Sequence, residues 1–134
     1  MCLAVYIASD KTLPLIKWDK EKPAFNVVPL SKYENRVQKH FRLPFIAYAG
    51  SHEGCGCGFL KDGVEGEDLE IVQSNYNSLV KYIHNLKDQG ARIEIYSCWE
   101  GDQGKKPESK DTLDLQEIND QQFEFKEKAY YKIA

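Results

Sequence analysis

Between Pro44 and Trp99 the spacing of apolar residues switches from that of a strand to that of a helix and back again. Residues 44–49 are apolar and β-prone. Val72, Tyr76, Leu79, Val80, Ile83 and Leu86 then recur three and four apart, which is the stripe of an amphipathic helix. That helix is predicted over about residues 69–89, with Gly90 as its C-terminal stop. Residues 92–98 follow, with Ile93 and Ile95 alternating against Arg92 and Glu94, a strand with one covered face. Strand, loop, long helix and strand make a βαβ unit. If the two strands are parallel in one sheet, the crossover is expected to be right-handed.

The flanking sequence supplies further strands. Cys2–Ala8 is apolar on both of its faces and suits a strand in the middle of a sheet. Leu13–Trp18, with Pro14, reads as a returning edge strand, and Ala24–Leu30 as a third strand after a turn at Lys20–Pro23. Ser31-Lys32-Tyr33-Glu34 matches a capping box, and Tyr33, Val37 and Phe41 continue it as a short helix that Pro44 ends. Asp102 to Asp111 reads as an exposed polar loop. Leu113, Leu115 and Ile118 leave the secondary structure of 111–120 open. Phe123–Phe125 and Tyr130–Ile133, joined by Lys126-Glu127-Lys128, suggest a closing hairpin. The expectation is an α/β (or α+β) fold: one small domain over 1–134 with a mixed sheet, one long helix and one short one.

Composition narrows the class of function. A chain of 134 residues buries about two-thirds of its unfolded surface and needs neither disulfides nor a metal for stability alone. Its net charge of -3 offers no general basic face, so no nucleic-acid partner is expected. No apolar run approaches the ~20 residues that cross a bilayer, so no membrane partner is expected either. The opening Met-Cys-Leu-Ala-Val-Tyr-Ile lacks the charged segment and the length of a signal peptide. A cytoplasmic location follows as an expectation, and in that reducing environment the four cysteines are thiols or ligands rather than a disulfide framework.

The loop after residue 49 carries the chemistry. Gly50-Ser51-His52-Glu53-Gly54-Cys55-Gly56-Cys57-Gly58 holds four of the nine glycines, two of the four cysteines and one of the three histidines. Ligand sites of α/β sheets lie beyond the carboxyl ends of the strands. The βαβ unit therefore brings His52, Glu53, Cys55 and Cys57 toward Cys98, Trp99, Glu100 and Asp102. Cys2 joins them only if the first strand runs antiparallel to the other two.

Several chemistries compete there. His52, Cys55, Cys57 and Cys98 offer one nitrogen and three sulfurs, a tetrahedral set that zinc accepts, although Cys-x-Cys is not a strong zinc spacing. Cys55-Gly56-Cys57 also reads as a thiol-redox pair, with His52 able to lower a thiol pKa. A lone cysteine nucleophile with His52 as base is a third option, so the catalytic candidates are Cys55, Cys57 and His52. Cys2 as an N-terminal nucleophile is disfavoured by the small size of the chain, and a buried strand accounts for it better. The loop is neither G-x-G-x-x-G nor a P-loop, and its acidic neighbours would repel phosphate. The bland reading is that small residues fill a tight turn. His40 and His84 read as packing or surface residues, and Trp99 as a core cap. The leading functional expectation is a binding or assembly module without its own catalysis, with a protein, a small molecule or a second copy as partner. The alternatives are a zinc-site protein and a thiol-redox protein.

Overall fold

The computed structural model describes residues 2–19, 25–52 and 55–134. Six strands, β1 (Leu3–Ser9), β2 (Asn26–Pro29), β3 (Phe45–Gly50), β4 (Ile93–Trp99), β5 (Ser109–Leu113) and β6 (Ala129–Ile133), form one mixed sheet. Their order is β2-β3-β1-β4-β6-β5. The long helix α1 spans Glu67–Asp88 and connects β3 to β4. β1 lies between those two strands and runs antiparallel to both, with Val5 opposite Ala49 on one side and Ser97 on the other. β3 and β4 are therefore parallel to each other but not adjacent. The strand–helix–strand expectation is met, with β1 inserted in its centre.

Insertion between two neighbours explains why β1 is apolar throughout. Leu3, Val5 and Ile7 pack with Tyr76, Leu79, Ile83 and Leu86 of α1 in the main core. Ala4 and Tyr6 face the other way, into a second core with Tyr48, Tyr96, Cys98 and Val37. Val37 belongs to the segment Tyr33–His40, which is a 3₁₀ helix. The Ser31–Glu34 capping pair forms as expected: each residue's backbone N–H donates to the other's side chain, at 3.0 and 3.3 Å.

A second covered face changes the reading of β4. Glu94 is buried, although alternation with Ile93 and Ile95 assigned it to solvent. Burial of a carboxylate requires donors, and Glu94 has three. The backbone N–H groups of Arg42 and Leu43 donate to one oxygen at 3.0 and 2.9 Å, and the Tyr130 hydroxyl donates to the other.

Other expectations are corrected by pairing. Leu13–Trp18 contributes only a bridge, Ile16 to Val27, because Pro14 and its neighbours make no continuous ladder. The Lys20–Pro23 turn lies outside the described residues. The loop 102–111 contains a fully buried Gln103 and ends in β5. The open stretch 111–120 resolves into the end of β5 and a short helix, α2 (Leu115–Ile118), capped reciprocally by Asp114 and Glu117. Phe123–Phe125 forms no hairpin strand. Instead β6 pairs antiparallel with β4 and parallel with β5. Phe123 and Phe125 join a group of rings around Tyr76, Phe123 edge-to-face with both Tyr76 and Phe125, and Phe125 tilted against Tyr76.

The Tyr76 hydroxyl ties that ring group to the loop before α1. It donates to the Phe59 carbonyl at 2.5 Å and accepts from the Phe125 backbone N–H at 3.2 Å. Tyr76→Phe leaves two buried backbone groups unpaired, so the expected loss is about 1–3 kcal/mol. Urea unfolding should show it as a lower midpoint with an unchanged slope.

Candidate metal centre

The glycine-rich loop is fixed at both ends by the elements it touches. At its start the backbone folds back on itself: the N–H groups of Ser51 and His52 donate to the Cys55 carbonyl at 2.9 and 3.0 Å, and the Cys55 N–H donates to the His52 carbonyl at 3.2 Å. The chain then passes Gly56 directly against β1. A Cβ on Gly56 would lie 2.3 Å from the Leu3 carbonyl oxygen, so no other residue fits without moving backbone. Cys57–Phe59 turns as a 3₁₀ helix, and the Asn75 side chain of α1 donates to the Gly58 carbonyl at 3.0 Å. The loop is held by β1 on one side and by α1 on the other.

This path brings three sulfurs together. The Sγ atoms of Cys2, Cys55 and Cys57 all lie within 4.8 Å of one another. The Cys55 thiol is 3.5 Å from Cys2 Sγ, and the Cys57 backbone N–H donates to Cys55 Sγ at 3.2 Å. All three residues are half-buried and free of disulfides. Burial pushes the Cys55 thiol up to about 12, with the hydrogen bond to Cys57 adding to the rise. Burial opposes ionisation of Cys57 as well, but hydrogen bonds from the Cys55 and Cys2 thiols and the Leu3 backbone outweigh it, and Cys57 lies below the ordinary thiol range. Such a group loses one proton readily and the next only against like charge.

The second core carries polar groups of its own, and the charges of Cys55 and Cys57 are felt at Tyr48. The Tyr48 hydroxyl is buried and has no hydrogen-bond partner among the described residues. Burial, then the charges of Glu100, Cys55 and Glu34, push its pKa above the ordinary range, so it remains an O–H donor. Tyr6 donates to Glu34 at 2.6 Å and accepts from Gln103, whose amide also donates to Glu100 at 2.9 Å.

The residues predicted to meet here divide into two groups. Cys55 and Cys57 converge, and Cys2 completes their set because β1 does run antiparallel to its neighbours. His52 and Cys98, the other two expected ligands, are not in that set. His52 is exposed, with its ring 5.6 Å from that of Trp18. Cys98 is enclosed in the second core, where burial, then Glu100, pushes its thiol up to about 12. Trp99 packs against the main core as its bland reading anticipated, and Asp102 pairs with Lys105 at 3.3 Å. Glu53 lies outside the described residues. Tyr48 escaped notice because a tyrosine in an apolar run carries no mark of which residues its hydroxyl will face.

No protein-family model matches the chain, and no curated protein or solved structure is significantly similar to it. The site therefore stands on its own geometry. No helix among the described residues is long and apolar enough to cross a membrane.

Two outcomes test this geometry. Gly56→Ala should destabilise the fold by about 2 kcal/mol, the scale of overpacking a closed site, and a thermal melt would register it. Because the thiolate is the reactive form, iodoacetamide at neutral pH should modify Cys57 before Cys55 and Cys98. Peptide mapping by mass spectrometry gives the order.

Proposed function

We propose that the protein binds a soft divalent metal, zinc in the first place, through the thiolates of Cys2, Cys55 and Cys57. The observation that carries this reading is the convergence of three sulfurs within 4.8 Å. Tetrahedral zinc with Zn–S near 2.3 Å sets its sulfurs ~3.8 Å apart, and Cys2 and Cys55 already stand at 3.5 Å. A cation also resolves the electrostatic difficulty of the group, since a coordinating thiol ionises outright.

Three protein ligands leave a fourth position for water, a small molecule or a partner's side chain. Three thiolates more than neutralise a divalent ion, so the ion would polarise bound water weakly. Holding or passing on metal suits such a site better than hydrolysis, and no reaction is assigned to it. This is the zinc-site alternative of the sequence reading, with Cys2 in place of His52 and Cys98.

The 3.5 Å contact of Cys2 and Cys55 supports a second reading, thiol redox. The sulfurs need to approach by roughly 1.5 Å to bond. Forming the Cys2–Cys55 disulfide would release two protons and two electrons to an oxidant such as a peroxide. Cys2 then takes the part that sequence spacing gave to Cys57.

Titration of reduced protein with cadmium, followed by thiolate charge-transfer absorbance, separates the readings. One ion per chain is expected, with zinc competing, a loss of at least tenfold in affinity in Cys55→Ser and Cys57→Ser, and no change in Cys98→Ser. Absence of saturable binding, with two thiols lost on mild oxidation of wild type and none in Cys2→Ser, would replace the metal reading with the redox one.

A further inference from the structure

The far end of the sheet from the thiols carries a cleft of about 740 Å³ between the start of β4, the ends of β5 and β6, and residues 39–43. Seven of the chain's 18 Lys and Arg line it, against two of its 21 Asp and Glu, in a protein whose net charge is -3. Arg92 is paired with Asp10 at 3.4 Å. Lys39, Arg42, Lys87, Lys106, Lys110 and Lys132 have no ion pair among the described residues.

The two acids do little to offset this charge. Glu94 is buried, and both of its oxygens are already engaged, by the backbone N–H groups of Arg42 and Leu43 and by the Tyr130 hydroxyl. Those bonds also fix the walls, joining residues 42–43 to β4 and β6. The second acid, Asp111, lies on the exposed edge strand β5. His40 at the rim donates from Nε2 to the Gln103 carbonyl at 2.7 Å, and burial lowers its pKa, which leaves the imidazole neutral.

Like charges gathered in a concavity repel, and a low-dielectric wall concentrates their field on whatever enters. We propose that this cleft binds a small organic anion carrying two or more phosphate groups. Several ammonium groups and the Arg42 guanidinium are the donors that phosphate oxygens accept from. The volume falls within the ~300–1,000 Å³ of small-molecule sites. Leu43, Ile93, Pro107 and Ile133, with the Tyr130 ring, give the organic part an apolar surface. An extended nucleic acid would run off the cleft onto a surface of the opposite charge, so the ligand is a compact one. The site is independent of the thiols and of any metal they hold.

Isothermal titration of the full chain at physiological ionic strength, with ATP, inorganic pyrophosphate, citrate and adenosine as probes, tests the proposal. Expected is one ATP per chain, pyrophosphate weaker, and citrate and adenosine at least tenfold weaker than ATP. Lys110→Glu combined with Lys132→Glu, both exposed positions, should weaken ATP binding by tenfold or more, about 1.4 kcal/mol. Lys17→Glu and Lys81→Glu, outside the cleft, should change it less than twofold. Cys55→Ser should bind ATP as the wild type does, which excludes phosphate held by a thiolate-bound metal. Circular dichroism checks that each variant is folded. Citrate as tight as ATP, adenosine as tight as ATP, equal loss in the control variants, or no saturable binding would each overturn the proposal.

Discussion

The direction of β1 governs the rest of this molecule. It is the central strand, it opposes both β3 and β4, and both of its faces are covered. Its first residues consequently lie at the edge where β3 and β4 end. Cys2 reaches the loop that leaves β3, and its carbonyl accepts the Glu100 N–H at 2.8 Å, just beyond the end of β4. Close approach of Gly56 to the Leu3 carbonyl then sets how near the loop sulfurs come to Cys2. Strand polarity, rather than any spacing between cysteines, assembles the three thiols.

What that assembly means chemically is decided by protons. Burial alone would keep Cys55 and Cys57 neutral, and for Cys55 it does so. Hydrogen bonds from its neighbours favour one thiolate at Cys57, and further ionisation meets repulsion. A cation removes the repulsion, and a disulfide removes two of the thiols. Each of the two functional readings is thus a way of relieving the same crowding.

How much of this was legible in the sequence depended on whether a residue's role was local. The stripe Val72 to Leu86 specified α1 to within about two residues at each end, the usual limit for boundaries. The two-faced run Cys2–Ala8 specified a central strand. The same run held the key to the site, since its direction decides whether Cys2 joins the loop thiols, and direction has no local signature; Cys98 is kept out by its burial in the second core. Glu94 and Gln103 look like solvent-facing residues because their partners lie 51 and 97 positions away, at Leu43 and Tyr6. His52 looked like a ligand because it stands in the right loop, yet the turn that closes on Cys55 carries its side chain to Trp18.

The ladder between β1 and β4 runs from Leu3 opposite Trp99 to Ser9 opposite Ile93. One end of it lies at the thiols, a gathering of soft, polarisable donors. The other opens on the cleft, a gathering of hard cations. Side chains alternate along a strand, so a slip of one residue would turn every side chain to the opposite face. Glu94 would then leave its three donors, and Cys98 its core. The two ends of the molecule, unlike in every chemical respect, share a single register and are specified by it together.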